Sequence, residues 1–139
     1  MRDVDASLRF YRDGLGLAVL MDEHFDGDWP TLFAAPSQRL HSVFLGEPTA
    51  PDAGIVELVA FDGQVEPGRA APRPETGFFL LSFFVDLAAT LARLDELGLG
   101  GAPRRTEQPG PDGGSVAMAT VRDPDGVLVE LVEAGSARA

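Results

Sequence analysis

The 139-residue chain contains no cysteine and no lysine. Without cysteine it can form no disulfide bond, no thiolate zinc site and no cysteine nucleophile. All 11 basic side chains are arginines, against 22 acidic side chains, and the formal net charge is −11. We expect no nucleic-acid partner, because nucleic-acid binding requires a cluster of basic residues that this composition does not supply.

Long hydrophobic runs are missing as well. No apolar stretch reaches the ~18 residues that a membrane-spanning helix needs, so we predict no insertion into a membrane. The N-terminal segment is polar and lacks the apolar core of a signal peptide. There is also no Gly-x-Ser-x-Gly elbow, no P-loop and no dinucleotide-binding fingerprint. We expect a cytoplasmic protein that neither hydrolyses substrates through a serine nucleophile nor uses nucleotides.

What the chain does contain is an internal repeat. Asp3 and Asp86 each precede a segment with apolar residues at helical spacing, and each can cap the first turn of a helix with its carboxylate. Both helices are expected to end at glycine, a residue that accepts the left-handed backbone conformation of a helix C-terminus. These glycines are Gly14 or Gly16 in the first copy and Gly98 in the second.

The repeat extends to a pair of strands. Residues 55–59 read Ile-Val-Glu-Leu-Val, and residues 128–132 read Leu-Val-Glu-Leu-Val. Both segments are short, β-branched and apolar, which predicts buried strands. A turn precedes each one, at residues 51–54 in the first copy and at residues 123–126 (Asp-Pro-Asp-Gly) in the second.

Between each helix and its final strand there is room for two more strands. They are predicted at residues 17–24 and 40–46 in the first copy, and at residues 101–107 and 115–122 in the second. A further strand, residues 77–85, leads into the second helix. We predict a first module at residues 1–60, a linker rich in Gly and Pro at residues 61–76, and a second module at residues 77–139, together one domain.

The first module has no leading strand of its own, because its helix cap already lies at residue 3. We therefore expect the first strand to be missing from the chain. It would lie upstream of Met1 or be replaced by a strand from a partner chain, since an uncovered sheet edge tends to be paired.

Two segments carry a family resemblance. Residues 7–17 (Ser-Leu-Arg-Phe-Tyr-Arg-Asp-Gly-Leu-Gly-Leu) resemble a helix motif written S-x-x-F-Y-x-x-x-L-G-L. Residues 123–131 (Asp-Pro-Asp-Gly-Val-Leu-Val-Glu-Leu) resemble an ending written D-P-D-G-x-x-x-E-L, and residues 86–98 resemble a second family helix. With these motifs the chain resembles the vicinal oxygen chelate superfamily, which comprises glyoxalases, bleomycin resistance proteins and dioxygenases.

The resemblance implies an α+β fold of tandem βαβββ modules whose mixed sheets curl around a shared cup. It also implies a small-molecule ligand in that cup. Members often dimerise, and the missing strand makes us expect a homodimer.

The resemblance also implies candidate metal ligands. In metal-dependent members four strands each give one donor, and two of these positions match Glu57 and Glu130. A histidine position falls near Leu80, which cannot bind a metal, and the first-strand position is absent. A divalent metal ion is the only cofactor suggested, held by an incomplete site. Alternation along the strands alone would also permit both glutamates to lie on an exposed face without a role, but their matched position in the two repeats argues against chance.

The remaining candidates are aromatic, histidine and hydroxyl side chains. Residues 22–29 form an acidic, aromatic segment that reads either as a surface loop or as a ligand-contacting loop. His24 and His41 are expected to line a pocket or the surface and not to bind a metal. The expected ligand-contacting residues are Trp29, His41, Leu80, Ser82 and Phe84.

Two functions follow from these features. The first is a protein that binds a small organic molecule, aromatic or cationic, in an acidic and apolar cup, as drug-sequestering members of the superfamily do. The alternative is a divalent-metal-dependent dioxygenase, lyase or isomerase that uses Glu57 and Glu130. A purely regulatory or interaction role has no positive signal in the sequence.

Overall fold

The computed structural model of the chain describes residues 1–50, 54–63, 77, 80–110 and 113–136. They belong to two compact units, Met1–Pro67 (unit 1) and Gly68–Ala139 (unit 2). Each unit contains one β-sheet and at least one helix, which confirms the predicted α+β fold class. Most of the predicted linker, residues 61–76, lies outside the described residues, although Phe61 still belongs to a strand.

Unit 1 begins with a short helix, α1 (Val4–Leu8). The Asp3 carboxylate caps it as predicted, accepting a hydrogen bond from the Ala6 N–H at 3.0 Å. The helix continues as a wider π-helical segment, Arg9–Gly14. Gly16 then adopts a φ of +84°, and the Leu17 N–H donates to the Tyr11 carbonyl at 3.1 Å. The reversal needs glycine because this backbone conformation is strained for other residues.

The sheet of unit 1 has three antiparallel strands in the order β1-β2-β3 among the described residues. Their bounds are Ala18–Asp26 (β1), Arg39–Gly46 (β2) and Val56–Phe61 (β3). A short helix, α2 (Trp29–Phe33), connects β1 to β2. That the first strand of this unit is missing from the chain stays a prediction, and the predicted turn at residues 51–54 lies outside the described residues except for Gly54.

The acidic segment 22–29 is mostly not a loop. Asp22 to Asp26 belong to β1 and pair with β2, with Asp22 opposite Val43 and Asp26 opposite Arg39. The correction has a physical reason. Pairing with β2 gives the backbone a hydrogen-bonded ladder, which outweighs the low strand propensity of aspartate and glutamate.

Unit 2 has the predicted leading strand, helix and three further strands. The elements are β4 (Leu81–Val85), α3 (Leu87–Glu96), β5 (Gly100–Pro109), β6 (Ser115–Arg122) and β7 (Leu128–Glu133). The sheet order is β4-β7-β6-β5, with β4 parallel to β7 and the other pairs antiparallel. Residues 78 and 79 of the predicted leading strand lie outside the described residues.

Local signals in unit 2 act as predicted. The Asp86 carboxylate accepts from the Ala89 N–H at 2.9 Å at the start of α3, and Gly98 ends the helix with a φ of +67°. In the turn before β7, the Asp123 carboxylate accepts from the N–H groups of Asp125 and Val127 at 3.0 and 2.8 Å. These bonds fix the entry into β7.

The core of unit 2 lies between α3 and one face of the sheet. The helix buries Leu91 and Leu94, and on the sheet Val129 and Leu131 are fully buried. Burying each leucine stabilises the fold by ~1.5–3 kcal/mol. Because side chains alternate along a strand, Glu130, which lies between Val129 and Leu131, must lie on the face away from α3.

Candidate functional site

A row of four side chains crosses the sheet of unit 2. Glu130 on β7 lies opposite Ser82 on β4 and opposite Thr120 on β6. Thr120 in turn lies opposite Arg104 on β5. We call these four residues the polar row.

The polar row lies on the face of the sheet that α3 leaves uncovered. Arg105, the next residue after Arg104, lines a groove together with Leu91 and Leu94 of α3. Arg105 therefore faces the helix, and alternation directs Arg104 to the other side. Ala119 and Val121, which flank Thr120, are almost fully buried, as expected for residues on the helix-covered face.

Within the polar row, Ser82 holds the carboxylate of Glu130. The Ser82 hydroxyl donates to Oε2 of Glu130 at 2.7 Å. A hydroxyl-to-carboxylate bond of this length is charge-assisted, and it orients the carboxylate. The other lone pairs of the carboxylate remain able to accept hydrogen bonds from a bound molecule.

An apolar row borders the polar row on the same face. Phe84 lies opposite Val132, and Val132 lies opposite Met118. The Phe84 side chain is 65% exposed. A hydrogen-bonding row beside an exposed aromatic ring is the combination of polar and apolar groups found in small-molecule sites.

Unit 1 has a related pair on β2 and β3. The Ser42 hydroxyl donates to Oε1 of Glu57 at 2.6 Å, so both side chains lie on one face of that sheet. The residue directly opposite Glu57 is Phe44. Ser42 is only 1% exposed, whereas Glu57 is exposed.

Unit 1 has a cluster of aromatic side chains beside α2. The rings of Trp29 and Phe33 stack with their centroids 5.9 Å apart, and the ring centroids of Phe33 and Phe61 are 6.1 Å apart. The Trp29 indole N–H donates to the Phe25 carbonyl at 3.2 Å. By alternation Phe61 shares the sheet face of Glu57, so this face combines a carboxylate with aromatic rings.

His41 lies on the other face of the unit 1 sheet. It is one residue before Ser42 in β2, so alternation directs it away from Ser42 and Glu57. Its Nε2 lies 2.6 Å from Oδ1 of Asp22, and its ring stacks on His24 with centroids 4.3 Å apart.

The structure thus brings together some of the predicted residues. Ser82, Phe84 and Glu130 share one face of unit 2, while Trp29 lies in the aromatic cluster of unit 1. Leu80, expected near a ligand position, precedes β4, and it is Ser82 that lies beside Glu130.

Sequence reasoning missed three polar residues of these faces. Thr120 and Arg104 belong to the polar row through strand register, which no local motif signals. Ser42 reaches Glu57 from β2, whereas Ser82 reaches Glu130 from β4, so the repeat does not relate the two serines.

The donors around each glutamate do not fit a resident metal ion within either unit. Glu130 has hydroxyl neighbours, and Glu57 has a serine and a phenylalanine. Transition-metal sites need additional imidazole, thiolate or carboxylate donors. Throughout the part of the chain that the structure describes, no group of three His, Asp or Glu side chains is suitably placed to hold a metal.

The fold and this arrangement agree with a match to a known family. The chain belongs to the Glyoxalase/Bleomycin resistance protein/Dioxygenase superfamily, whose family model matches residues 1–131. It is 42% identical over 132 residues to the lactoylglutathione lyase-like protein terB of Aspergillus terreus, covering 91% of this chain and 67% of that protein.

Solved structures of low sequence identity share the fold. A glyoxalase family protein from Bacillus cereus superposes with a TM-score of 0.72 at 20% identity, over 96% of this chain and 87% of that one. Glyoxalase I from Leishmania major, described as trypanothione-dependent, gives a TM-score of 0.57 at 22% identity, over 97% and 81% of the two chains. Among the helices described, none has the length and apolar character needed to cross a membrane.

Proposed function

We propose that this chain binds a small organic molecule on the face of the unit 2 sheet that points away from α3, where the polar row supplies the hydrogen bonds. The observation that carries the proposal is the Ser82–Glu130 bond beside the exposed ring of Phe84. An oriented carboxylate accepts hydrogen bonds from a ligand, and the apolar row contacts its hydrocarbon part. Membership of a superfamily that includes bleomycin resistance proteins supports a binding role.

The corresponding face of unit 1 has different properties. Glu57 contributes a negative charge, and Phe44, Phe61 and Phe33 contribute aromatic rings. Aromatic faces and carboxylates attract cations and stack on planar rings. An aromatic or cationic ligand is therefore the kind of molecule that we propose for this face.

We further propose that the metal site of metal-dependent relatives is incomplete in this chain. A carboxylate with hydroxyl neighbours holds a hard cation such as Mg²⁺ only weakly, because such ions are bound through several carboxylate or carbonyl oxygens. We expect purified protein to carry less than a stoichiometric amount of any divalent metal, as measured by elemental analysis.

An enzymatic function is the second candidate, favoured by the 42% identity to a protein named lactoylglutathione lyase-like. It would be a divalent-metal-dependent lyase, isomerase or dioxygenase with Glu57 or Glu130 among the metal ligands. A stoichiometric metal that is lost in Glu130→Ala would support this candidate and overturn the binding-only proposal.

Binding to unit 2 is tested with three matched aromatic probes: para-hydroxybenzoate, para-hydroxybenzamide and para-hydroxybenzamidine. We expect at least one of them to shift the amide NMR signals of Ser82, Thr120 and Glu130. Glu130→Gln should weaken the binding of that probe roughly 10-fold, which corresponds to the loss of one charged hydrogen bond.

The control for this test is Glu107→Gln. Glu107 lies on the helix-covered side of the same sheet, where its carboxylate accepts from Ser115 at 3.1 Å. This variant should bind every probe as the unchanged chain does. If no probe binds, or if both variants weaken binding equally, the proposed site is wrong.

A homodimer and a cytoplasmic location are also part of the proposal. The outer strand of the unit 1 sheet, β1, is exposed along most of its length, and an exposed edge strand favours pairing with another chain. Sedimentation equilibrium should give twice the 14.7 kDa chain mass. A monomer at all accessible concentrations would contradict the dimer.

A further inference from the structure

We infer that the molecule bound by unit 2 is an anion, a small aromatic carboxylate whose acid group pairs with Arg104. This inference rests on the proposed function, because it concerns the same face of the sheet.

The position of Arg104 favours an anionic ligand. It lies at one end of the polar row, with Thr120 between it and Glu130. Adjacent strands are ~4.8 Å apart, so the backbones at Arg104 and Glu130 are separated by about 10 Å. Because Thr120 is a short side chain, a small planar molecule lying over it would contact both charged groups.

Arg104 has no partner among the residues that the structure describes: it is exposed, and neither a hydrogen bond nor an ion pair engages it there. The chain has twice as many acidic as basic side chains, so acidic partners are abundant elsewhere. By contrast, Arg122 on the same face already donates from Nη1 to the Gly126 carbonyl at 2.6 Å.

The side chains on this face are chemically complementary to an aromatic acid. A guanidinium group binds a carboxylate through two parallel hydrogen bonds, which gives both affinity and orientation. Glu130 already accepts from Ser82, and its remaining lone pairs can accept a further donor such as a ligand hydroxyl. Met118 and Val132 in the neighbouring row, next to Thr120 and Glu130 on their strands, offer apolar contact to an aromatic ring. A hydroxylated aromatic acid satisfies all three groups at once.

Arg105 provides a matched control in the chain itself. It is the same residue type on the same strand, but it faces the groove beside α3, where Asp95 also lies. A nonspecific attraction between the positive charge of β5 and an anion would involve Arg105 as much as Arg104. Pairing in the polar row involves Arg104 alone.

The test measures the affinities of the three probes for the unchanged chain, for Arg104→Gln and for Arg105→Gln by NMR titration. We expect para-hydroxybenzoate to bind about 10-fold more tightly than para-hydroxybenzamide, and para-hydroxybenzamidine to bind most weakly, as one charged hydrogen-bonding pair predicts. Arg104→Gln should abolish the preference for the carboxylate, whereas Arg105→Gln should retain it.

The outcomes separate this inference from the proposed function. Equal binding of the carboxylate and the amide, or a preference that survives Arg104→Gln, would overturn the inference while leaving a Glu130-dependent site in place. Tightest binding of the amidine would overturn it in favour of a cationic ligand. Failure of every probe to shift the signals of the polar row would overturn both. Para-methoxybenzoate, which lacks the hydroxyl donor, should bind more weakly than para-hydroxybenzoate, and equal binding would contradict the assigned role of Glu130.

Discussion

The two units contain the same Val-Glu-Leu-Val strand, yet each glutamate has different neighbours. In unit 1, Glu57 lies opposite Phe44 and accepts from a buried serine. In unit 2, Glu130 lies between two hydroxyl side chains, with an arginine one strand further along. The comparison indicates that the repeat preserves the position of the carboxylate, while strand pairing determines what chemistry surrounds it.

The difference originates in how the sheets are built. In unit 2, β4 pairs in parallel with β7 and supplies Ser82 to Glu130. In unit 1 the corresponding side of β3 has no strand among the described residues, and there the Met1 amino group donates to the Val59 carbonyl at 2.7 Å. The hydroxyl for Glu57 therefore comes from β2. The two glutamates resemble each other in sequence but not in the origin of their partners.

The largest expected effect on stability comes from truncating the leucine that follows each glutamate. Leu131 is 0% exposed and Leu58 is 8% exposed. Truncation leaves a cavity as well as losing apolar contact, so Leu131→Ala should lower the free energy of unfolding by about 3–5 kcal/mol and Leu58→Ala by about 2–3 kcal/mol. Urea denaturation measures both.

The control for these variants is Leu32→Ala, because Leu32 is 65% exposed and its truncation creates no cavity. We expect this change to be within ~0.5 kcal/mol of the unchanged chain. A larger loss for Leu58→Ala than for Leu131→Ala would mean that the four-stranded unit is not the better packed of the two.

A smaller difference is expected between the two serines. Ser42→Ala removes a buried hydroxyl from a charged hydrogen bond, which should cost about 1–2 kcal/mol of stability. Ser82→Ala removes a bond that is exposed to water, so water can replace the hydroxyl and the cost should stay below ~0.5 kcal/mol.

Ser115→Ala, which removes the exposed bond to Glu107, is the matched control and should behave like Ser82→Ala. Equal losses for Ser42→Ala and Ser82→Ala would contradict the assignment of a structural bond to unit 1 and of an accessible, ligand-binding bond to unit 2.

Much of the fold was predictable from local signals. The caps at Asp3 and Asp86, the glycine at Gly98 and the Asp123 turn each act through groups only a few residues apart, which a sequence displays directly. The extension of this strand to Phe25 and Asp26, beyond the predicted residues 17–24, was not predictable in this way, because it depends on pairing with β2, which is distant in sequence.

The candidate site was predictable only in part. The repeat identified Glu57 and Glu130, and the family motif directed attention to the strand that contains Ser82. Arg104 could not be found, because its alignment with Thr120 depends on a register shift between Gly100 and Arg104 within β5. The sequence also did not show which face of the sheet His41 occupies. Alternation gives the relative directions of side chains within one strand, but it does not show which face the glutamate of the partner strand occupies.

The two helix-capping residues should differ less in their effect on stability than the two serines do. Asp86 caps the ten-residue helix α3, whereas Asp3 caps the five-residue helix α1. We expect Asp86→Ala to lower the free energy of unfolding by about 1 kcal/mol and Asp3→Ala by about 0.5 kcal/mol. Asp86→Asn keeps a side-chain oxygen that can cap the helix, so its loss of stability should be only a few tenths of the loss expected for Asp86→Ala. A loss in Asp86→Asn as large as in Asp86→Ala would show that charge, and not the capping bond, is what matters.

The smallest expected effect is a pH dependence specific to unit 1. The Arg12 guanidinium donates from Nε to Oδ1 of Asp13 at 2.6 Å and from Nη2 to Oδ2 at 3.0 Å, which lowers the pKa of Asp13 below its ordinary value of 3.8. Because the folded chain binds this proton more weakly than the unfolded chain, the contribution of the pair is present above about pH 4 and is lost as the pH falls through the lowered pKa.

The test of this pH dependence compares Asp13→Asn with the unchanged chain. The variant should be slightly less stable at neutral pH, by less than any of the preceding changes because both side chains are exposed and screened by water. The two stability curves should converge in acid, as measured by urea denaturation across the pH range. Arg12→Gln should give the same curve as Asp13→Asn, and a difference that persists below the lowered pKa would mean that Asp13 stabilises unit 1 through something other than its ionised carboxylate.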